Sequence, residues 1–189
     1  MERIASFDVN HDTLEKGMYI SRIDGDIVTY DIRMKKPNMG DYVSNEALHT
    51  FEHLFATYAR NSEISDKVIY IGPMGCRTGF YLLMRDTATM QQAIDLARES
   101  FKFISEYKGE IPGATRSECG NSEEHNLEAA RAVAIDMVEV LKDWNEEKRR
   151  EIIRNNLGIA IDFYARFVSR VRKLMERNPD CECICFTGP

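Results

Sequence analysis

Apolar positions in this chain recur first with the period of a strand and then with that of a helix. In residues 18–34, two β-rich runs, Tyr-Ile-Ser-Arg-Ile and Ile-Val-Thr-Tyr-Asp-Ile-Arg-Met, flank Asp24-Gly25. That dipeptide suits a tight reversal, so the segment predicts a β-hairpin. Ser44 is a good N-cap for a helix over 44–60, in which Ala47, Leu48, Phe51, Leu54 and Phe55 share one face. Residues 67–71 are rich in β-branched side chains and predict a strand that Gly72-Pro73-Met74-Gly75 ends. Residues 78–84 predict another strand. Thr87 is the expected cap of a helix running to 107, closed by Ile111-Pro112-Gly113. Helical patterns follow over 122–144 and 147–176. Strands mixed with long helices predict an α+β fold, with helices packed on an antiparallel β-sheet.

Composition narrows the classes. The chain has 189 residues, 43% apolar and 30% charged, which suits a folded globular protein with a real core. No apolar run approaches the roughly 18 residues of a membrane span, so no integral membrane segment is expected. The opening residues carry charge and no apolar stretch of the export type, so a signal peptide is not expected. A net charge of -6 argues against nucleic acid as a partner. Without an export signal, the five cysteines read as thiols in a reducing, cytoplasmic setting. The charge is uneven. Residues 146–177 hold nine Lys/Arg against five Asp/Glu, whereas residues 1–145 hold sixteen against twenty-four. A boundary near Asn145 is therefore expected, with a functional unit over 1–145 and an extension over 146–189.

The chemistry concentrates on the first predicted helix. His49-Thr50-Phe51-Glu52-His53 is H-x-x-E-H, and side chains four apart share a helix face. Both imidazoles can reach one metal ion, with Glu52 close enough to act on a group bound there. A third ligand is needed. Cys119, in the loop-like Arg116-Ser117-Glu118-Cys119-Gly120-Asn121, would give a His2Cys site with a fourth position open, as catalytic rather than structural sites have. Cys76 lies in Gly72-Pro73-Met74-Gly75-Cys76-Arg77-Thr78-Gly79, where an adjacent cation favours the reactive thiolate. A carboxylate, a thiolate and a Lewis acid suit proton movement beside a carbonyl. Taken alone, Arg33 reads as a solvated strand residue, Ser6 as a turn residue, His11 as a loop histidine and His125 as a surface histidine.

H-T-F-E-H, G-P-M-G-C-R-T-G-F-Y and E-C-G-N occur in order, together with S-F-D-V-N-H-D and D-I-R-M-K-K-P-N. This set resembles the S-ribosylhomocysteine lyase family (LuxS, autoinducer-2 synthase) across about residues 3–145. The resemblance implies an antiparallel sheet with helices on one face. It also implies a cytoplasmic homodimer with active sites at the subunit interface. It implies one divalent metal per subunit on His49, His53 and Cys119, with Fe(II) the usual ion and Zn(II) or Co(II) able to substitute. The substrate implied is S-ribosylhomocysteine. Its sugar carbonyl migrates through enediolates before β-elimination releases homocysteine and 4,5-dihydroxy-2,3-pentanedione, the autoinducer-2 precursor. Cys76 and Glu52 become the catalytic acid/base pair. Ser6, His11 and Arg33 become substrate contacts, His11 reaching in from the neighbouring subunit.

Two departures stand out. Tyr70-Ile71-Gly72 occupies the place where many family members carry Asp-Ile-Ser, which bears on contacts to the homocysteine end. The chain also continues about 45 residues past the usual end. Ile153, Leu157, Ala160, Tyr164, Phe167, Val171 and Leu174 form an apolar stripe there, expected to fold back on the body or the partner. Cys181, Cys183 and Cys185 read as free thiols. Two other functions compete. H-x-x-E-H is also a zinc-peptidase motif, in which Glu128, with 74 residues between it and His53, would be the third ligand. That reading leaves Cys76 and Cys119 without a role. A non-catalytic metal-binding module would not need Cys76, Glu52 and Arg33 together.

Overall fold

The computed structural model describes residues 10–155, and in it the two alternating patterns become one sheet and its covering helices. Strand β1 (Gly17–Asp24) turns into β2 (Ile27–Arg33), forming the expected hairpin. Helix α1 (Asn45–Arg60) crosses to β3 (Val68–Pro73), which turns into β4 (Gly79–Arg85). Helices α2 (Met90–Glu106), α3 (Leu127–Leu141) and α4 (Glu146–Asn155) follow. The sheet is antiparallel throughout, in the order β1-β2-β4-β3. This is an α+β fold with helices packed against the sheet.

Period-two alternation sorts the side chains. Val28, Tyr30 and Ile32 of β2 pair with Met84, Leu82 and Phe80 of β4, and all six are buried. Phe51 and Phe55 of α1 and Phe101 of α2 close over them. The Phe51 ring centroid lies 5.1 Å from that of Phe80 and 5.2 Å from that of Phe101. Such ring pairs add about 0.5–1.5 kcal/mol each beyond their buried area. The intervening residues, Asp31 and Arg33, point to the opposite face of the sheet. There Tyr19 of β1 and Tyr81 of β4 stand opposite Asp31. Burial first, and then the Asp31 charge, raises both phenol pKa values.

Helix starts follow capping chemistry. Ser44 caps α1 as expected, accepting from the Ala47 amide. Helix α2 starts two residues later than Thr87 suggests, because Thr89 and Gln92 form a reciprocal capping box. Helix α3 starts after Asn126 rather than near Ser122. The Asn126 side chain accepts from the Ala129 amide, and residues 122–126 wind past α1 instead. That helix ends at Leu141, short of Trp144. The continuation predicted to 176, the apolar stripe beyond Asn155 and the three tail cysteines lie outside the described residues. Among the described residues, no helix is long and apolar enough to cross a membrane.

Trp144 ties the end of α3 to the start of the sheet. Its indole N–H donates to the Met18 carbonyl at 3.2 Å, and its ring lies over Gly17. A Cβ at Gly17 would stand 2.0 Å from the Trp144 ring, and Gly17 has φ +150°. Gly17→Ala therefore combines overpacking with backbone strain, and a loss of about 2–3 kcal/mol is expected. Urea unfolding checks this. The midpoint should fall at an unchanged m value, and an unshifted midpoint would show that the Trp144 ring moves aside freely.

Candidate metal centre and adjacent thiol

The polar face of α1 carries the first half of the site. Phe51, Leu54 and Phe55 anchor the helix in the core, which turns His49, Glu52 and His53 outward to a half-buried position. Each imidazole is held by a carbonyl. His49 Nδ1 donates to the Glu124 carbonyl at 3.0 Å, and His53 Nδ1 donates to the Pro112 carbonyl at 2.8 Å. A carbonyl can only accept, so both rings carry a proton on Nδ1, and in its neutral form each turns an Nε2 lone pair inward. Gly113, at φ +68°, lets the chain reverse beside His53 at ordinary contact distance.

The two Nε2 atoms are 3.2 Å apart, and Cys119 Sγ lies 3.3 Å from His49 Nε2 and 3.9 Å from His53 Nε2. Facing nitrogen lone pairs with no proton between them repel, and a cation among them removes that repulsion. The spacing fits one. Metal bonds of about 2.0–2.1 Å to nitrogen and about 2.3 Å to sulfur, at tetrahedral angles, set N···N near ~3.3 Å and N···S near ~3.6 Å. The donor set of two imidazoles and a thiolate therefore suits a divalent transition ion. Glu128 has no part in the cluster, and Cys119 stands where a peptidase would need that carboxylate.

His125 corrects the sequence reading. It is not a surface histidine but the fourth member of this cluster, whose ligand atoms all lie within 4.8 Å of one another. Its ring stacks on His49, with centroids 4.2 Å apart and planes inclined by 22°. Its Nδ1 meets the Thr50 hydroxyl at 3.2 Å. Burial, followed by the neighbouring His49 and His53, lowers its pKa. Position six after Cys119 was the available signal, but a His that far from a Cys has no fixed geometry until the loop is known.

The second half of the site is the turn between β3 and β4. Arg77 adopts φ +58°, its amide donates to the Met74 carbonyl, and Met74 N–H bonds to the Gly79 carbonyl. This turn holds Cys76 at the surface. An open cleft of about 390 Å³ borders the turn, lined by His49, Glu52 and Met74. Another of about 370 Å³ is lined by His11, Cys76 and Thr78. Both clefts share Gly75 and Arg77, so the turn that carries the thiol also borders the cleft of the carboxylate. His11 reaches the Cys76 cleft from the same chain. Ser6 lies outside the described residues.

Beneath Cys76 runs a buried polar relay. Arg33 is only 3% exposed, against the solvated role its position alone suggests. It makes a bidentate pair with Asp31, with Nε donating at 3.1 Å and Nη2 to the second oxygen. Arg33 Nη1 donates to Thr78 Oγ1, which leaves the Thr78 hydroxyl hydrogen free to point at Cys76 Sγ, 3.0 Å away. Nη1 itself is 3.9 Å from the sulfur. Burial of Cys76 opposes ionisation, but the Thr78 and Arg33 interactions outweigh it and the thiol pKa is lowered. Burial pushes the Asp31 carboxyl up against the pull of Arg33. Asp31 and Thr78 were not singled out from sequence. The available signal was that Asp31 shares the Arg33 face of β2 and Thr78 sits two residues after Cys76.

Tyr70 is half exposed, with its ring lying over Gly72, where a Cβ would be 2.2 Å from the phenol oxygen. The two departures from the Asp-Ile-Ser pattern are thus one packing unit.

Comparison with known proteins agrees with this geometry. The S-ribosylhomocysteinase (LuxS) family profile matches residues 4–148. The S-ribosylhomocysteine lyase of Clostridium acetobutylicum is 50% identical over 135 residues, covering 69% of this chain and 85% of that protein. That of Phocaeicola vulgatus is 47% identical over 136 residues, covering 69% and 84%. That of Borreliella burgdorferi is 41% identical over 152 residues, covering 78% and 97%. With the match spanning the helix of His49 and His53, the turn of Cys76 and the loop of Cys119, the chain belongs to the S-ribosylhomocysteinase (LuxS) family.

Proposed function

We propose that the protein is a metal-dependent carbon–sulfur lyase that cleaves S-ribosylhomocysteine to homocysteine and 4,5-dihydroxy-2,3-pentanedione. The observation that carries this reading is the pairing of three inward-facing ligand atoms beside Glu52 with an activated thiol on the turn bordering the Glu52 cleft. His49, His53 and Cys119 would hold one divalent ion, Fe(II) by preference, with Zn(II) or Co(II) able to replace it. The ion supplies Lewis acidity, which polarises the sugar carbonyl and makes the neighbouring C–H more acidic.

The chain's own groups do the proton work. The Cys76 thiolate, favoured by its contacts with Thr78 and Arg33, accepts a proton from a sugar carbon. Glu52 returns a proton. Two such exchanges move the carbonyl along the chain through enediolates to C3. A further proton removal then expels the homocysteine thiolate by β-elimination, with no change in overall oxidation level. Arg33, His11 and Ser6 bind the sugar. The thiols of Cys76 and Cys119 fit a cytoplasmic location, and a homodimer would enclose the two open clefts. The unit over 1–145 is catalytic, and 146–189 is an extension of it.

The test is thiol release from S-ribosylhomocysteine by protein purified anaerobically with Fe(II). One thiol should appear per substrate consumed. Chelation should abolish release, and added Fe(II) or Co(II) should restore it. Metal-loaded protein that frees no thiol overturns the reading.

A further inference from the structure

His125 touches the metal cluster without being placed to join it as a ligand. An imidazole binds a metal along its ring plane. The planes of His125 and His49 are inclined by only 22°, with centroids 4.2 Å apart. Planes so nearly parallel do not meet within a bond length of both Nε2 atoms. An ion that His49 held along its ring plane would therefore not be reached along the ring plane of His125. His49 and His53 behave differently, crossing at 79° with their Nε2 atoms converging.

The hydrogen-bond chain behind His125 fixes its proton. Thr50 is fully buried between α1 and the start of α3. Its Oγ1 accepts the Asn126 backbone N–H at 2.8 Å, which leaves the hydroxyl hydrogen to be placed. His125 Nδ1, 3.2 Å away, takes it. The opposite arrangement would strand that hydrogen in a dry site. With Nδ1 accepting, the neutral ring carries its proton on Nε2, and Nε2 faces Cys119 Sγ at 3.9 Å. This is the reverse of the tautomer that carbonyls impose on His49 and His53.

We propose that His125 is a positioning residue that donates an Nε2–H hydrogen bond to the metal-ligating thiolate of Cys119, in a relay running from the Asn126 amide through Thr50. This rests on the assignment of His49, His53 and Cys119 as the ligands. Withdrawing charge from the sulfur through N–H···S would tune the Lewis acidity of an ion held there without adding a ligand to it. Outer-shell partners of this kind are typically worth about 10–100-fold in metal affinity.

The experiment uses the full chain loaded with Co(II), whose visible spectrum reports both ligand number and thiolate charge transfer. His125→Phe keeps a ring stacked on His49 but removes the donor. The sulfur-to-cobalt band should move to longer wavelength, the four-coordinate ligand-field pattern should persist, and Co(II) affinity should fall about 10-fold or more. His125→Gln, which restores an N–H, should move the band back. An unshifted band in His125→Phe overturns the proposal. So does collapse of the four-coordinate pattern, which would make His125 a ligand. A wild-type Co(II) spectrum with no thiolate band overturns the ligand assignment itself, and the proposal with it. The unmutated Zn(II) protein gives an independent check through imidazole ¹H–¹⁵N correlations. His125 protonated on Nε2 is expected, and protonation on Nδ1 overturns the proposal.

Discussion

Cys76→Ala is expected to lower turnover by about 10²–10⁴-fold, the range for a positioned acid/base group, while metal content stays at the wild-type level. The side chain lies on the turn between β3 and β4 and supplies no ligand atom to the metal cluster. Its loss should therefore separate proton transfer from metal binding. The thiol works because its pKa is held down. The Thr78 hydroxyl, with its oxygen engaged by Arg33 Nη1, has its hydrogen free for the sulfur. Alkylation of Cys76 by iodoacetamide should accordingly begin at lower pH than for an ordinary thiol. Thr78→Val should move that inflection upward, because the ionised form loses its nearest donor. Metal analysis, thiol release and the alkylation profile check these points together. Undiminished turnover in Cys76→Ala would remove the thiol from the mechanism.

The second large effect concerns stability. Asp31→Ala should cost about 3–5 kcal/mol, the cost of leaving one member of a buried ion pair without its partner. Arg33 is 3% exposed and has Asp31 as its bidentate partner. Among the described residues, removing the carboxylate leaves the guanidinium its bond to Thr78 and its approach to Cys76. The double variant Asp31→Leu/Arg33→Met should recover much of the lost stability, because a well-packed apolar pair avoids the desolvation of both charges. Its Cys76 should nevertheless alkylate more slowly than in the wild type, since the relay to the thiol is gone. Urea unfolding of the three proteins, with alkylation rates, makes the distinction. An unchanged midpoint in Asp31→Ala would mean that water reaches Arg33 after all.

Local pattern alone carried the hairpin, the Ser44 cap and the apolar face of α1, because each depends on residues within a few positions of one another. His49 and His53 belong to the same class, since helical spacing places them together before any tertiary contact forms. The Thr89 cap was written in the sequence as Thr-x-x-Gln and was still misplaced, because Thr87 offers an equally plausible local start. The recruitment of Cys119, 66 residues from His53, came from motif chemistry and family resemblance, not from periodicity.

What only the tertiary structure decided was the state of groups whose partners are far away in the chain. Arg33 reads as an ordinary strand residue until the turn between β3 and β4 brings Thr78 and Cys76 beside it, 45 and 43 positions later. His125 reads as a surface histidine until residues 122–126 wrap α1 and set it against Thr50 and His49, 75 and 76 positions earlier. A side chain's type and its neighbours along the chain determine which chemistry it can perform. Its burial, tautomer and ionisation depend on the dielectric and the donors around it, and those exist only once distant segments have packed together.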